Sequence, residues 1–379
     1  MHIEQKKFSE QHGWQTMREG TAEAGAYQLV LAFGSAGLIC KPSIYDTLRA
    51  QYPNADILMG STAGEIIDTQ VNDDTISLTA ICFERTTFST AVVNISASGN
   101  SYDAGVELAG SLQKEGLKNV MVISDGQMVN GSDLVAGLQS QLPKGTLLTG
   151  GLAGDGAMFR RTLVGLNAVP EEGKLVAIGF YGANLSVTYG SVGGWDAFGP
   201  QRLITRSEKN VLYEIDGLPA LETYKKYLGD YEKELPGSAL RFPLSIRVKG
   251  EEHAIVRTIL GVNEEEQSLT FAGNMPEGAY AQLMMANIDR LIEGASLAAS
   301  GSINGHVPEL AILISCVGRK LVLDQRIEEE IDVVRAAYGP DTAITGFYSY
   351  GEISPSCNFM KCELHNQTMT ITTMTEIAP

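Results

Sequence analysis

Three acidic residues follow glycines in similar short motifs, and their carboxylates are the first candidates for binding chemistry. The motifs are Gly64-Glu65-Ile66, Gly351-Glu352-Ile353 and Gly154-Asp155-Gly156. Glycines let backbone N–H groups approach a ligand closely, and a carboxylate accepts hydrogen bonds from an amine or a guanidinium. The same carboxylates could instead cap neighbouring backbone N–H groups. A structural role is favoured for Glu65 and Asp155, and both roles stay open for Glu352.

Side chains around the last motif could complete a ligand site. Arg319 ends a strand-like run that the predicted topology places near Glu352, so its guanidinium could bind a ligand carboxylate or pair with Glu352. Tyr348 and Tyr350 offer aromatic faces and hydroxyl groups, although tyrosines in such loops often only pack. The candidate ligand-binding residues are therefore Arg319, Tyr348, Tyr350, Gly351, Glu352 and Glu65.

His365 is the candidate metal ligand among the five histidines. It follows a strand-like run and lies near a turn, and a neutral imidazole is a good axial ligand for haem iron. Alternative ligands are Cys316, Cys357, Cys362 and Met360. A lone histidine at a turn is more often structural, so His365 is assigned to a metal only if haem is bound.

Catalytic signatures are absent from the sequence. It contains no P-loop, no Gly-x-Ser-x-Gly elbow and no His-Glu-x-x-His motif. Glu65 and Glu352 could act as an acid–base pair only if their two loops converge. We therefore expect a protein that is not an enzyme, with catalysis by the loop carboxylates as the alternative.

The elements that position these motifs form a repeated pattern of strand, helix and strand. Each predicted unit ends in one of the glycine-framed turns. The strand, helix and turn segments are residues 27–33, 42–51 and 58–66 in the first unit, 119–124, 132–141 and 148–155 in the second, and 310–315, 324–338 and 342–353 in the third. Connections this long join parallel strands through a right-handed crossover.

Antiparallel strand pairs are predicted after each unit. The segments are residues 75–83 with 88–95, residues 175–181 with 185–192, and a comparable hairpin over residues 362–371. The predicted fold class is therefore α/β, with mixed sheets built from repeated βαβ-plus-hairpin units in two domains. The sequence changes in character near residue 217, where we place the domain boundary.

Composition and charge limit the possible partners. The chain has 379 residues with 28 basic and 45 acidic side chains, which gives a formal charge of -17. A surface this negative repels nucleic acid and anionic lipid, so neither nucleic acid nor a membrane is an expected partner. Five cysteines, an odd number, suit a reducing cytosol better than a disulfide scaffold.

Membrane-spanning and export segments are not predicted. No window approaches 18 uncharged apolar residues, and the best candidate, residues 279–299, contains charged residues and predicts an amphipathic helix. The first residues have no apolar core that could serve as a signal peptide. We therefore expect a soluble, cytoplasmic protein.

Several motifs, taken in their order along the chain, resemble FIST domains. Residues 269–278 (Leu-Thr-Phe-Ala-Gly-Asn-Met-Pro-Glu-Gly), 315–319, 346–353 and 364–368 resemble the C-terminal FIST domain, and residues 60–65, 124–126 and 150–155 resemble its N-terminal partner. The resemblance implies a FIST N-terminal domain at residues 27–217 and a FIST C-terminal domain at residues 218–368.

The resemblance also implies a sensory function. FIST domains are proposed to bind small ligands and to signal to a sensor histidine kinase or a cyclic-di-GMP enzyme, and some members with both domains are haem proteins that sense nitric oxide. We therefore expect a stand-alone intracellular sensory protein that binds a small ligand and acts through such a partner. The ligand hypotheses are haem with nitric oxide as the stimulus, or a small polar metabolite such as an amino acid. A scaffold without a ligand is a further alternative.

Overall fold

The fold contains three repeats of one α/β unit, with an additional sheet inserted before the third repeat. The structure, a computed structural model, describes residues 1–251, 253–356 and 361–377. The repeats span residues 29–94 (repeat 1), 117–192 (repeat 2) and 310–376 (repeat 3), and the inserted sheet spans residues 196–285. Cys357 and Met360, two of the alternative haem ligands, lie outside the described residues.

Repeat 1 follows an N-terminal pair of strands. These strands are β1 (His2–Ser9) and β2 (Gly13–Arg18). The elements of repeat 1 are β3 (Leu29–Gly34), α1 (Ala36–Ile39), α2 (Pro42–Gln51), β4 (Asp56–Ser61), β5 (Glu65–Ile67), β6 (Gln70–Asn72), β7 (Ile76–Cys82) and β8 (Thr87–Asn94). The helix predicted over residues 42–51 is present, with Pro42 in its first turn, where a missing N–H costs no helical hydrogen bond. β3 and β4 are parallel, as predicted.

Repeat 2 has the same arrangement. Two short helices, α3 (Ile95–Ser98) and α4 (Ser101–Gly110), lead into it. Its elements are β9 (Leu117–Ser124), α5 (Gly131–Gln141), β10 (Leu147–Leu152), β11 (Val164–Leu166), β12 (Lys174–Tyr181) and β13 (Leu185–Val192). β9 and β10 are parallel. α5 begins after Asn130, whose side chain accepts hydrogen bonds from two N–H groups of the first helical turn.

The inserted sheet has eight strands and separates repeats 2 and 3. Its elements are β14 (Asp196–Glu208), β15 (Val211–Ile215), β16 (Leu218–Pro219), α6 (Ala220–Leu228), β17 (Leu244–Arg247), β18 (Ile255–Arg257), β19 (Ile259–Asn263), β20 (Ser268–Phe271) and β21 (Tyr280–Met285). Two 3-10 segments, Gly229–Glu234 and Gly237–Arg241, connect α6 to β17. The sheet takes strands from both sides of residue 217, and the domain limits there stay a prediction.

Repeat 3 follows the longest of the described helices, α7 (Ile288–Ser302). The elements of repeat 3 are β22 (Leu310–Cys316), α8 (Val317–Leu323), α9 (Ile327–Tyr338), β23 (Ala343–Ser349), β24 (Gly351–Pro355), β25 (Cys362–His365) and β26 (Met369–Glu376). β22 and β23 are parallel. The helix predicted over residues 279–299 is wrong in its first part, because residues 280–285 form β21.

The error arises because residues 280–285 follow the two-residue period of a strand and not the period of a helix. The side chains of β21 alternate between more and less buried positions, since the strand lies between β14 and β17. In the part of the chain that the structure describes, no helix has both the length and the apolar character needed to cross a membrane.

Each repeat donates strands to the sheet of another repeat. The sheet of repeat 1 ends in β11 of repeat 2, and the sheet of repeat 2 ends in β24 and β25 of repeat 3. The sheet of repeat 3 ends in β5 and β6 of repeat 1. The donated strands β11, β24 and β5 run antiparallel to β4, β10 and β23, respectively. The three repeats therefore form a closed cycle.

The strand pairs predicted after each unit do not form hairpins. All six strands are present, but β7 and β8 lie in different sheets, as do β12 and β13, and β25 and β26. β8 pairs with β12, and β13 pairs with β26. A short polar turn suits either a hairpin or a step to the next sheet, so local sequence could not separate the two. The α/β class with several mixed sheets is confirmed.

The three repeats pack around a shared apolar core. This core draws on the first strand of each repeat, through residues such as Leu31, Ile123 and Ile312. The inserted sheet has a core of its own, which includes Tyr224 of α6 and Phe271 of β20. A further apolar cluster of the repeats includes Leu152 and Tyr350, and a cavity lies between it and the core of the inserted sheet.

Candidate functional site

The glycine-framed turns of the three repeats meet one another. The contacts are backbone hydrogen bonds from Gly154 to Ser61 (3.0 Å), from Tyr348 to Gly64 (2.8 Å) and from Tyr350 to Leu152 (3.2 Å). The turns follow the carboxyl ends of parallel strands, which is the edge where ligands bind in α/β sheets.

A cavity of about 480 Å³ lies between the turns of repeat 2 and the inserted sheet, and we call it the large cavity. Its lining residues from the repeats include Gln127, Met128, Asn130, Leu152, Phe159 and Tyr350. Those from the inserted sheet and its connections include Asn210, Pro236, Leu240, Leu260, Phe271 and Ala272. A cavity of this volume, beside the ends of β9 and β10, is typical of a small-molecule site.

The segment after β9 forms one wall because of two local features. A Cβ atom at Gly126 would lie 2.1 Å from the carbonyl oxygen of Ala153, so only glycine allows the two turns of repeat 2 to pack this closely. Asp125 Oδ1 then accepts hydrogen bonds from the N–H groups of Gln127 and Met128, each at 2.7 Å. These bonds hold Gln127 and Met128 at the cavity wall.

Tyr350 and Phe159 form an aromatic wall. Their rings are stacked, with centroids 4.6 Å apart and an interplanar angle of 16°. The Tyr350 hydroxyl donates to the Asp155 carboxylate and accepts from the N–H groups of Asp155 and Phe159, each at 3.1 Å. Burial and the Asp155 carboxylate raise the pKa of Tyr350, so its hydroxyl keeps its proton at neutral pH. Phe159 has a φ of 52°, which a bulky side chain rarely adopts, so these contacts hold a strained loop.

Glu352 is buried outside the large cavity. Its Oε1 accepts a hydrogen bond from the Ser349 hydroxyl at 2.8 Å. Its Oε2 accepts from the N–H of Thr368 at 3.3 Å and from the hydroxyl of the same residue at 2.8 Å. Burial raises the pKa of Glu352 to about 8, against this hydrogen bonding. The carboxyl group therefore closes its own turn.

Glu65 has the same arrangement in repeat 1. Its Oε1 accepts from the Thr62 hydroxyl at 2.5 Å, and its Oε2 accepts from the Thr75 hydroxyl at 2.7 Å and the Thr75 N–H at 3.2 Å. Burial raises the pKa of Glu65 to about 7. Among the described residues, Glu65 and Glu352 share no hydrogen-bond partner.

Arg319 belongs to a buried network that links repeat 3 to α7 and to the segment after β13. Its Nη2 lies 2.8 Å from Glu330 Oε2, and neither side chain is exposed. The guanidinium also donates to the backbone oxygens of Gly193 and Leu291. The Tyr348 hydroxyl donates to Glu330 Oε1 at 2.6 Å, and burial raises the pKa of Tyr348. Arg319 and Tyr348 thus stabilise the interior of repeat 3.

His365 also lies away from the large cavity. Its Nε2 shares a hydrogen bond of 3.0 Å with the Ser354 carbonyl oxygen, and the residue pairs with Glu352 across β24 and β25. Burial lowers the pKa of His365 to about 4, so the ring is neutral. Over the described residues, the walls of the large cavity contain no histidine or cysteine. The hydrogen bond uses Nε2 and leaves Nδ1 as the ring nitrogen that could bind iron, so His365 as a haem ligand stays a prediction.

A second cavity, of about 220 Å³, has charged side chains in its walls, and we call it the charged cavity. Near it, Glu251, His253 and Glu363 place their ligand atoms within 4.8 Å of one another, a spacing that could hold a metal ion. Lys361 Nζ lies 3.0 Å from Glu363 Oε1 and 3.6 Å from Glu251 Oε1. This ammonium group lies between the two carboxylates and offsets one of their two negative charges, and we assign no metal there.

Tyr350 is the predicted ligand-binding residue that lines the large cavity. The structure places the other five in the packed turns and networks described above, namely Arg319, Tyr348, Gly351, Glu352 and Glu65. Their assignment as ligand contacts stays a prediction. Two further lining residues, Met128 and Phe159, were not predicted from the sequence, and neither was the wall from the inserted sheet. The motif at residues 269–278 was a signal for that wall, since it contains Phe271 and Ala272.

Fold and cavity together define an α/β protein with a small-molecule cavity shared between repeats and an inserted sheet. Two protein-family models match the chain, the FIST N domain at residues 28–218 and the FIST C domain at residues 220–355. These matches cover most of the chain, so the protein belongs to the FIST family. FIST domains are in general small-ligand-sensing domains of signal transduction. Comparison with curated proteins gave no match.

Proposed function

We propose that the protein is a sensor that binds a small molecule in the large cavity. The observation that carries this proposal is the position of the cavity, whose walls come from repeat 2, from Tyr350 of repeat 3 and from the inserted sheet. A ligand there would contact segments that are far apart in the chain. Its binding would therefore favour one arrangement of the repeats relative to the inserted sheet.

The output of this sensor would be a separate signalling protein in the cytoplasm, either a sensor histidine kinase or a cyclic-di-GMP enzyme. Tyr350 provides a physical link between ligand and surface, because its ring lines the cavity and its hydroxyl holds Asp155 and Phe159. A ligand that moves this ring would break those hydrogen bonds and release the loop at residues 155–161. Catalysis is not part of the proposal, because Glu65 and Glu352 are each enclosed in their own turn.

Nitric oxide sensing through haem is the alternative within the same family. His365 does not line the large cavity, so haem bound there would not have this histidine as its ligand. An absorption spectrum of protein purified with an iron supply tests this alternative directly. A Soret band that His365→Ala weakens would favour haem, and a protein that gains no Soret band with added hemin would exclude it.

A thermal-shift screen against a panel of small metabolites tests the main proposal. Ala272 lines the cavity, so Ala272→Trp should fill part of it. Ala50 lies on the exposed face of α2, so Ala50→Trp is the matched control. We expect at least one compound to raise the Tm of the wild type and of Ala50→Trp, but not that of Ala272→Trp. If no compound stabilises the wild type, or if every hit stabilises Ala272→Trp equally, the large cavity is not a sensor site.

A further inference from the structure

We infer that the ligand of the large cavity is an uncharged, largely apolar molecule. This inference rests on the proposed function and specifies its ligand class. Sixteen residues of the described chain line the cavity, and none of them is Asp, Glu, Lys, Arg or His. Its deeper wall is formed by the buried side chains of Leu152, Ile259 and Phe271.

A charged ligand would lose its hydration in this cavity without gaining a counter-charge, which is strongly unfavourable. An amino acid would bring an ammonium and a carboxylate group, and haem would find no histidine or cysteine in the described walls to bind its iron. Both ligand hypotheses from the sequence therefore fit the walls of this cavity poorly. An aromatic or aliphatic molecule would instead remove apolar surface from water, both its own surface and that of the cavity walls.

Polar groups form the smaller part of the walls, and the polar side chains among them carry no charge. The side chain of Asn130 is used to cap α5. Asn210 donates through Nδ2 to the Phe271 carbonyl oxygen at 2.9 Å, which leaves its Oδ1 without a donor among the described residues. Gln127 has a side-chain amide that is likewise unpaired within the described chain. These groups suit a ligand with a few hydroxyl or N–H groups.

The rim of the cavity is apolar as well. Met128, Phe159 and Leu260 line it while remaining 52%, 37% and 47% exposed. Exposed apolar side chains grouped around a pocket mark a binding surface. The formal charge of -17 adds long-range repulsion against anions that approach the molecule.

The charged cavity shows how this fold would present ionic groups to a ligand. Arg257 lines it, is 5% exposed, and donates to the Leu364 carbonyl oxygen at 2.7 Å. Glu251, Lys361 and Glu363 line the same cavity. Side chains of this kind are missing from the described walls of the large cavity, so the two cavities differ in the ligand chemistry they can accept.

Two fluorescent probes that share one ring system test the ligand class. N-phenyl-1-naphthylamine is neutral, whereas 8-anilinonaphthalene-1-sulfonate carries a sulfonate group on the same scaffold. We expect the neutral probe to bind the wild type saturably, and about tenfold or more tightly than the sulfonate. This binding should be lost in Ala272→Trp and kept in Ala50→Trp. Gln127→Lys should raise the affinity for the sulfonate, and Gln127→Met should not.

Different failures of this experiment contradict different statements. If the sulfonate binds more tightly than the neutral probe, at a site that Ala272→Trp blocks, the ligand class is wrong but the sensor cavity stands. If neither probe binds, the ligand class is also wrong, because an open apolar cavity of this volume should admit the neutral probe. If both probes bind Ala272→Trp as tightly as the wild type, the binding site is elsewhere, and the proposed function itself is contradicted.

Discussion

The glycine-framed turns of repeats 1 and 3 are each sealed around a glutamate, although Tyr350 of repeat 3 reaches the large cavity. The corresponding turn of repeat 2 opens onto that cavity. In the sealed turns, a glutamate follows the glycine and is enclosed by hydroxyl and N–H donors. The donated strand starts at once, with β5 beginning at Glu65 and β24 beginning one residue before Glu352. In repeat 2, Asp155 is followed by residues 156–163 before β11 begins.

This comparison indicates that the wall of the large cavity forms where repeat 2 differs from repeats 1 and 3. Asp155 Oδ2 accepts from the N–H groups of Arg160 and Arg161, at 2.9 Å and 2.8 Å, and so organises the additional loop instead of closing the turn. That loop carries Phe159 to the cavity wall. The divergent copy thus supplies much of the cavity wall, together with Tyr350 of repeat 3 and residues of the inserted sheet.

The largest loss of stability is expected for Arg319→Met. This variant tests whether Arg319 has a structural role in repeat 3 or contacts a ligand. The change leaves Glu330 buried without its counter-charge, which typically costs about 3–5 kcal/mol. Urea denaturation would measure the loss of unfolding free energy. An Arg319→Met/Glu330→Met double variant should recover part of it, because the unpaired charge is removed but the Tyr348 hydroxyl loses its acceptor. If Arg319→Met is as stable as the wild type and has lost ligand binding, Arg319 is a ligand contact instead.

Removal of a sealing carboxyl group should have the next largest effect. Glu352→Ala leaves the hydroxyls of Ser349 and Thr368 and one N–H without an acceptor, for a loss of about 3 kcal/mol. Asp155→Ala should cost less, about 1–2 kcal/mol, because water can reach the groups that Asp155 binds. Thermal or urea unfolding of both variants checks this order. Equal losses would remove the distinction between sealed and open turns.

Stability should also fall as the pH rises through neutrality. The pKa of Glu352 is about 8 in the folded protein against an ordinary value of 4.5, so folding retains a proton that the unfolded chain releases. The unfolding free energy should therefore fall with rising pH, by at most ~1.4 kcal/mol per pH unit for each such carboxyl group. Urea denaturation between pH 6.5 and pH 8 measures the slope.

The measurement is kept above pH 6.5 because protonation of His365 changes the unfolding free energy in the direction opposite to that of the two glutamates. Its pKa is lowered to about 4 from an ordinary value of 6.5, so it contributes stability that is lost on acidification through that interval. Replacement of both sealed carboxyl groups, in Glu65→Gln/Glu352→Gln, should flatten the slope above pH 6.5. A wild-type protein with no slope in that range would show that neither glutamate is protonated in the folded state.

The smallest loss of stability is expected where Tyr350 contacts the open turn of repeat 2. Tyr350→Phe removes the hydroxyl that holds Asp155 and Phe159 but keeps the ring in the cavity wall, so the loss of stability should be about 1 kcal/mol. Amide hydrogen exchange at residues 155–161 should become faster, and mass spectrometry can follow it. Glu352→Gln serves as the control, because it should leave exchange in this loop unchanged. Unaltered exchange in Tyr350→Phe would mean that other contacts hold the loop.

Local sequence patterns predicted the units of the fold but not their exchange of strands. The helix with Pro42 in its first turn and the three parallel strand pairs follow from apolar runs, caps and breakers. β5 and β11 are only three residues long, and each pairs with a strand from a different repeat. Pairing between short, distant segments depends on tertiary packing, so propensity and period cannot indicate it.

In the candidate site, too, some residues could be predicted from the sequence and others could not. Tyr350 could be selected because it lies in a glycine-framed turn. A hydroxyl residue three positions before each glutamate, Thr62 before Glu65 and Ser349 before Glu352, was an available sign that these carboxylates close their turns. The wall from the inserted sheet could not be predicted, because nothing in its local pattern indicates which face of the repeats it covers.

The closed cycle of donated strands means that the two FIST domains of this chain are not separable pieces. Cutting the chain between the two matched segments, after residue 218, would strip β10 of its neighbour β24 and leave β5 and β6 without the sheet they belong to. Bare strand edges of this kind promote aggregation. A gene rearrangement that moved either half alone into another protein would therefore transfer an incomplete sheet, and inheritance of both halves together preserves the architecture.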